Sequence, residues 1–225
     1  MRFLSLVAAF IILYTPILNA QDFNFDGDTM TVVFESNLDK KKLHSTIYSA
    51  IANIYNSAKD VVHMNDSAAG KIIIKSVFNL ELNNHQNKAI FSKDFKFPPT
   101  LDIDVEHTIN IYVKDNKYKL KMDIGLLSTT HLGQRYPLDH DHIKYLQFNF
   151  LEADEVEAFK NMHIQTLNTF QNSKKIIQSK ETLYYLEAVE EHLQDHIKQL
   201  RATAKSIAIA INSKSEEEVA EDIDW

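Results

Sequence analysis

The sequence predicts an α+β protein, an antiparallel sheet packed by one amphipathic helix and followed by a C-terminal helical region. Three observations carry this. Between Thr108 and Ile124, Ile109, Ile111 and Val113 alternate with Asn110 and Tyr112, and Leu120, Met122 and Ile124 alternate with Lys119, Lys121 and Asp123. That period of two is what a strand with one buried and one wet face imposes. Leu43, Ile47, Ala50, Ile51, Ile54 and Ala58 fall at i, i+4, i+7, i+8, i+11 and i+15, one face of a helix of about five turns. From His131 onward the alternation stops and apolar residues step by three and four, the helical spacing.

Residues 1–20 read as a secretory signal peptide. Arg2 precedes an apolar run from Phe3 to Tyr14 that breaks at Pro16, and Ala20 stands at the cleavage edge, the charged, apolar and small-residue order of an export signal. A spanning helix needs about 20 apolar residues, and this run is shorter. The expected compartment is therefore outside the cytoplasm, periplasmic or secreted. The chain has no cysteine, which excludes disulfides, a thiolate nucleophile and a lipidated cysteine.

The rest of the chain divides at residue 130. In 21–130, Met30 to Glu35 suits a short strand and Ser36 to Asp39 offers capping groups for the helix that begins near Leu43. Asp60 to Met64 and Lys71 to Leu82 form a hairpin across Asn65 to Gly70, with Gly70 at a position needing special backbone angles. Thr108 to Ile124 forms a second hairpin about Lys114-Asp115-Asn116-Lys117. Between them, Asn83 to Glu106, punctuated by Pro98-Pro99, reads as an irregular excursion or an added edge strand around Lys88 to Phe97.

In 131–225, Val156, Phe159, His163, Leu167 and Phe170 mark one helix. Leu193, Ile197, Leu200, Ala204, Ile207 and Ile211 mark a heptad seam on another, running from about Glu181 to Asn212. A helix of that length exceeds a small sheet, so the expectation is antiparallel pairing with Asp154 to Ile177, the alternative being another chain. Ser215 to Trp225 reads as an acidic mobile tail.

The run from Leu43 to Leu82, followed by Ile109 to Leu126, resembles a bacterial family of exported proteins, a domain of unknown function with a TATA-binding-protein-like fold. The resemblance rests on Ala58-Lys59-Asp60-Val61 after the helix, Gly70-Lys71-Ile72 at the turn and Val113-Lys114-Asp115 at the second turn. It covers roughly residues 30 to 127. It implies architecture and compartment, and no activity. Where the family has an aromatic residue in the first helix, this chain has Ile47, Tyr48 and Ile51.

Charge argues against the nucleic-acid role that such a fold suggests. The net charge is −7, and loss of Arg2 with the leader makes the remainder more acidic, whereas minor-groove binding needs a basic, apolar-studded sheet. Lys40, Lys41 and Lys42 are the one strong basic run and read as the solvated first turn of a helix.

Local motifs yield no assignment of catalytic, cofactor-binding or metal-binding residues. Asp22, Asn24, Asp26 and Gly27 resemble a calcium loop, but its twelfth position is Val33 where a glutamate is required. Asp139-His140-Asp141-His142 offers two imidazoles and needs a third ligand from His131, His163 or a glutamate. His192 and His196 have zincin spacing, but Leu193 stands where the general base belongs. Gly70-Lys71 lacks the rest of a phosphate loop, and carboxylate pairs such as Asp102 and Asp104 carry no visible pKa device. The expected function is a non-catalytic, exported protein-interaction or scaffold module without cofactor, with a protein partner or a second copy held through the helix at 181–212. The alternative is a periplasmic binding protein holding a small or apolar ligand between the sheet and Phe91, Phe95 and Phe97.

Overall fold

The computed structural model describes residues 22–55, 57–83, 100–131, 134–137, 147–149, 152–170 and 180–221. The signal segment, the expected edge strand within 84–99 with its three phenylalanines, and Asp139 to His142 lie outside the described residues. The strands are β1 (Asn24–Asp26), β2 (Thr29–Glu35), β3 (Val62–Asp66), β4 (Lys71–Asn83), β5 (Thr100–Lys114), β6 (Lys117–His131) and β7 (Gln134–Pro137). The helices are α1 (Lys40–Ile54), the single turn α2 (Ala58–Val61), α3 (Ala153–Phe170) and α4 (Lys180–Glu221).

All strand pairs are antiparallel, in the order β1-β2-β6-β5-β4-β3, with β7 also on β6. The period of two places Met30, Val32, Phe34, Ile72, Ile74, Ile109, Ile111, Leu120 and Met122 on one face, each almost fully buried. The β5–β6 turn closes over two residues, with Asn116 in the left-handed region at φ 63°. An asparagine tolerates that conformation because its short polar side chain bonds locally. Gly70, at φ 70°, is required twice over: a Cβ there would sit 2.5 Å from the Val113 carbonyl oxygen, which belongs to the strand whose amide donates to Gly70.

Asp39 starts α1 by accepting a hydrogen bond from the Lys42 amide at 2.9 Å, satisfying a helix N–H that has no partner within the helix. The neighbouring Lys40 amide donates to the Asp115 carboxylate at 2.8 Å, and the Asn116 amide donates to the Leu38 carbonyl. The helix start and the β5–β6 turn therefore fix one another. The helix stops at Ile54, short of Ala58, because Ser57 is extended and re-aims the chain into α2; Ala58 stays buried through that second turn.

Two expectations are corrected. β5 begins at Thr100, and its pairing with β4 runs from Lys71↔Tyr112 to Asn83↔Thr100. The stretch assigned to an irregular excursion thus already contains the alternation of Ile103 and Val105 with Asp102, Asp104 and Glu106.

The second correction concerns α4, which was expected to exceed the sheet. The strands β4, β5 and β6 have 13, 15 and 15 residues, roughly 45–50 Å at 3.3 Å per residue; the 42-residue α4, about 63 Å at 1.5 Å per residue, does exceed them, but its stretch from His192 to Asn212 lies along the sheet and not only against another helix. His192 meets the Asn83 carbonyl at one end of the sheet, and Asn212 accepts from the Tyr118 hydroxyl at the other. Leu200, Ala204, Ala208 and Ile211 join the sheet core with Leu43, Ile47 and Ile51 of α1. The seam is thus buried within this chain. In the N-terminal half of α4, Lys160 of α3 pairs with Glu190 at 2.5 Å. The helix continues to Glu221 through the segment expected as a tail, with Ser215 buried.

His196 lies within this packing at 0% exposure, and neither ring nitrogen has a hydrogen-bond partner among the described residues. Burial, assisted by His192 and opposed by Asp195, pushes its pKa down to about 3. Burial likewise lowers His44 and His107.

Two outcomes are expected. Leu200→Ala lowers unfolding free energy by about 2–5 kcal/mol, while Leu126→Ala, on an exposed site, changes it by less than about 0.5 kcal/mol; urea titrations compare them. For His196 the unfolded chain takes up the proton near pH 6.5 and the folded chain does not, so stability falls as pH drops from 6.5 toward 3, at up to about 1.4 kcal/mol per pH unit. His196→Leu flattens that slope in urea titrations between about pH 7 and about pH 5, and equal slopes in both proteins would refute the assignment.

Candidate functional site

With α1 and α4 on one face of the sheet, the other face carries the side chains of opposite parity. Its rows follow from the register. At one end, Lys71 of β4, Tyr112 of β5, Lys119 of β6 and Val33 of β2 stand side by side. The Lys71 and Lys119 ammonium groups lie 5.5 and 5.3 Å from the Tyr112 ring centroid, one from each neighbouring strand. This is cation–π spacing, and it holds two positive charges about an aromatic surface. Lys114 and Lys117 close the end of the hairpin, and with Val33 and Tyr112 they line a shallow groove of about 400 Å³.

The exposure of apolar side chains sets this face apart. Val33 is 46% exposed, Met64 44%, Val77 47% and Tyr112 37%. Carboxylates at the basic end are held locally: Asp123 pairs with Lys121 at 2.8 Å and accepts from the Thr29 hydroxyl, and Asp66 accepts from the Ala69 amide in the turn. The hydrogen bond to Asp123 raises the pKa of Lys121 and keeps it charged. Such an arrangement is suited to holding a carboxylate or another anionic group against an aromatic ring; none of the side chains here is a nucleophile paired with a base.

The residues singled out from sequence are not drawn together. Asn24 to Asp26 form β1 and Gly27 makes the turn into β2 at φ 55°, so the calcium-like string is a hairpin. His192 and His196 part company, one at the Asn83 carbonyl and the other in the core, with buried Leu193 between them. Asp102 and Asp104 share the open face of β5 at the end away from Tyr112. His140 and His142, and the side chains of His131 and His163, lie outside the described residues. Among the described residues, no group of three His, Asp or Glu side chains converges to hold a metal ion, and no helix is long and apolar enough to cross a membrane.

Residues 30–124, from β2 to the body of β6, match the family model described as a domain of unknown function (DUF4468) with TBP-like fold. The similarity to that family spans less than half of the chain. The TBP-like segment contains Lys71, Tyr112 and Lys119, whereas α4 lies beyond it. Solved structures similar to the chain include a DUF4468 family protein from Bacteroides ovatus, 13% identical, covering 53% of this chain and 66% of that one with a TM-score of 0.35. A TBP-like protein from Parabacteroides distasonis is 11% identical, with 88% of this chain and 96% of that one covered and a TM-score of 0.39. No curated protein matches the chain.

Sequence reasoning missed the Tyr112 site. Its signal was present as Lys71, Tyr112 and Lys119 on the wet side of three alternating runs, but which of them stand abreast is a matter of register.

Proposed function

We propose that this chain is an exported, non-catalytic protein-interaction module that uses the open sheet face around Tyr112 as its docking surface. The supporting observation is the pairing of exposed Val33, Met64, Val77 and Tyr112 with the lysines that flank the tyrosine. Rigid aromatic surface gives contact area at low entropic cost, and surrounding ammonium groups select acidic side chains and steer their approach. The partner surface is therefore a protein surface bearing carboxylates next to an apolar residue. The interaction moves here from the helix at 181–212, whose seam is buried against this chain's own sheet. Export rests on the order of residues in the first twenty positions.

Acetylation footprinting tests the docking surface without knowledge of the partner. In protein labelled in the compartment where it accumulates, Lys71 and Lys119 are expected to react several-fold more slowly than in dilute purified protein, with exposed Lys59 unchanged. Equal labelling in both preparations would remove the proposal. Peptide mapping of the same material is expected to begin at Gln21, and a retained leader would remove the export component.

A further inference from the structure

The open face is polarised along its strands. Toward the β5–β6 turn it carries Lys71, Lys75, Lys114, Lys117, Lys119 and Lys121 against three carboxylates, Glu35, Asp66 and Asp123; toward the far end it carries Glu81, Asp102, Asp104 and Glu106. The acidic rows are set by the same register as the basic ones. Glu81 stands beside Asp102, Asn79 beside Asp104 and Val77 beside Glu106, and Asp104 accepts from the Asn79 amide at 3.3 Å. From the Tyr112 row to the Asp102 row is ten residues of β5, roughly 33 Å. The Debye length at physiological salt is about 8 Å, so the Tyr112 and Asp102 rows act with their own sign, while Lys75 and Glu106 meet in adjacent rows between them.

We infer that the carboxylate-bearing surface that docks on the Tyr112 end is the acidic end of the same face on a second copy of this chain. This rests on the reading of the open face as a docking surface. A two-fold axis lying in the interface and perpendicular to the strands turns the face over and reverses it. Basic rows then meet acidic rows twice, once in each direction, as an isologous interface requires. The same operation sets β4 over β4 and places exposed Val77 over Lys75 of the other copy, where the aliphatic stem of the lysine supplies apolar contact near the middle. A single anionic polymer or an acidic membrane laid along the face would meet Glu81, Asp102, Asp104 and Glu106 as well as the lysines. A second copy satisfies both ends.

A charge-swap experiment tests this with two double variants, Lys71→Glu with Lys119→Glu and Glu81→Lys with Asp102→Lys. All four positions are at the surface, so both proteins are expected to keep the wild-type circular dichroism and melting temperature. In sedimentation velocity at about 50 mM salt the wild type is expected to dimerise, with a dissociation constant that rises at least about tenfold by about 500 mM salt. Each variant alone is expected to be monomeric at concentrations where the wild type dimerises, since the reversed positions then face their own sign across the two-fold axis, and an equimolar mixture is expected to recover the dimer as a heterodimer. If a reversal impairs folding, Lys119→Gln and Asp102→Asn replace it, each expected to weaken the dimer. A wild type that stays monomeric at all concentrations, variants that dimerise alone, or a mixture that does not associate would overturn the inference. A monomeric wild type whose lysines are still protected in the footprint would overturn the second copy and leave the docking surface with a different acidic protein. A monomer retained by a sulfated polysaccharide probe would overturn the second copy in favour of a polyanion.

Discussion

The burial of one sheet face beneath α1 and α4 is the constraint on which the other features depend. Leu200, Ala204, Ala208 and Ile211 enter the same core as Ile72, Ile74, Ile109 and Ile111, and the two alanines let the helix backbone come close where larger side chains would hold it away. Because strand side chains alternate strictly, covering one face exposes the other in register. The lysine–tyrosine array and the acidic rows beyond it are therefore as well defined as the core. A slip of one residue between β4 and β5 would turn Tyr112 inward and disperse the array.

The N-terminal hairpin and the 147–149 segment are fastened to α4. Arg201 donates from Nε to the Phe148 carbonyl and lies 4.8 Å from the Phe25 ring centroid, while Lys205 approaches the rings of Phe23 and Phe25 at 5.3 and 5.4 Å. Phe25 and Phe148 pack at 5.2 Å. At the other end of the helix, Tyr118 stacks on Phe34 and donates to Asn212; burial raises its phenol far above the ordinary range, which keeps it a donor. The matched family segment thus ends at Ile124, while the helix that completes its core comes from some seventy residues later in the chain. That arrangement makes α4 part of the sheet domain's stability, whatever docks on the open side.

Much of this was legible in the chain. Gly70, the Lys114 to Lys117 hairpin and the apolar face of α1 were each written in fewer than twenty consecutive residues, and each stands where local physics puts it. The heptad seam of α4 was legible as a buried stripe but not as buried against a sheet, since a period of 3.5 describes the stripe and not its partner. In the excursion after Leu82, Pro98-Pro99 interrupts the chain just before the alternation of Ile103 and Val105 begins, so the start of β5 is set by its pairing with β4 and not by a local signal. His196, which looks from its spacing with His192 like one half of a metal pair, is a core histidine because α4 turns it inward.

By itself the sequence determined the fold class, the strand β2, the helix α1, the two hairpins about Gly70 and Asn116, the family resemblance and the alternation that gives the sheet one apolar and one polar face. These depend on contacts between near neighbours along the chain. Only the tertiary structure decided that α4 belongs to the sheet core, that Lys71, Tyr112 and Lys119 stand abreast, and that lysines gather toward one end of the open face and Glu81, Asp102, Asp104 and Glu106 toward the other. Those facts depend on register between strands some forty residues apart and on which surface a long helix finds first. A period of two or three and a half carries no record of either.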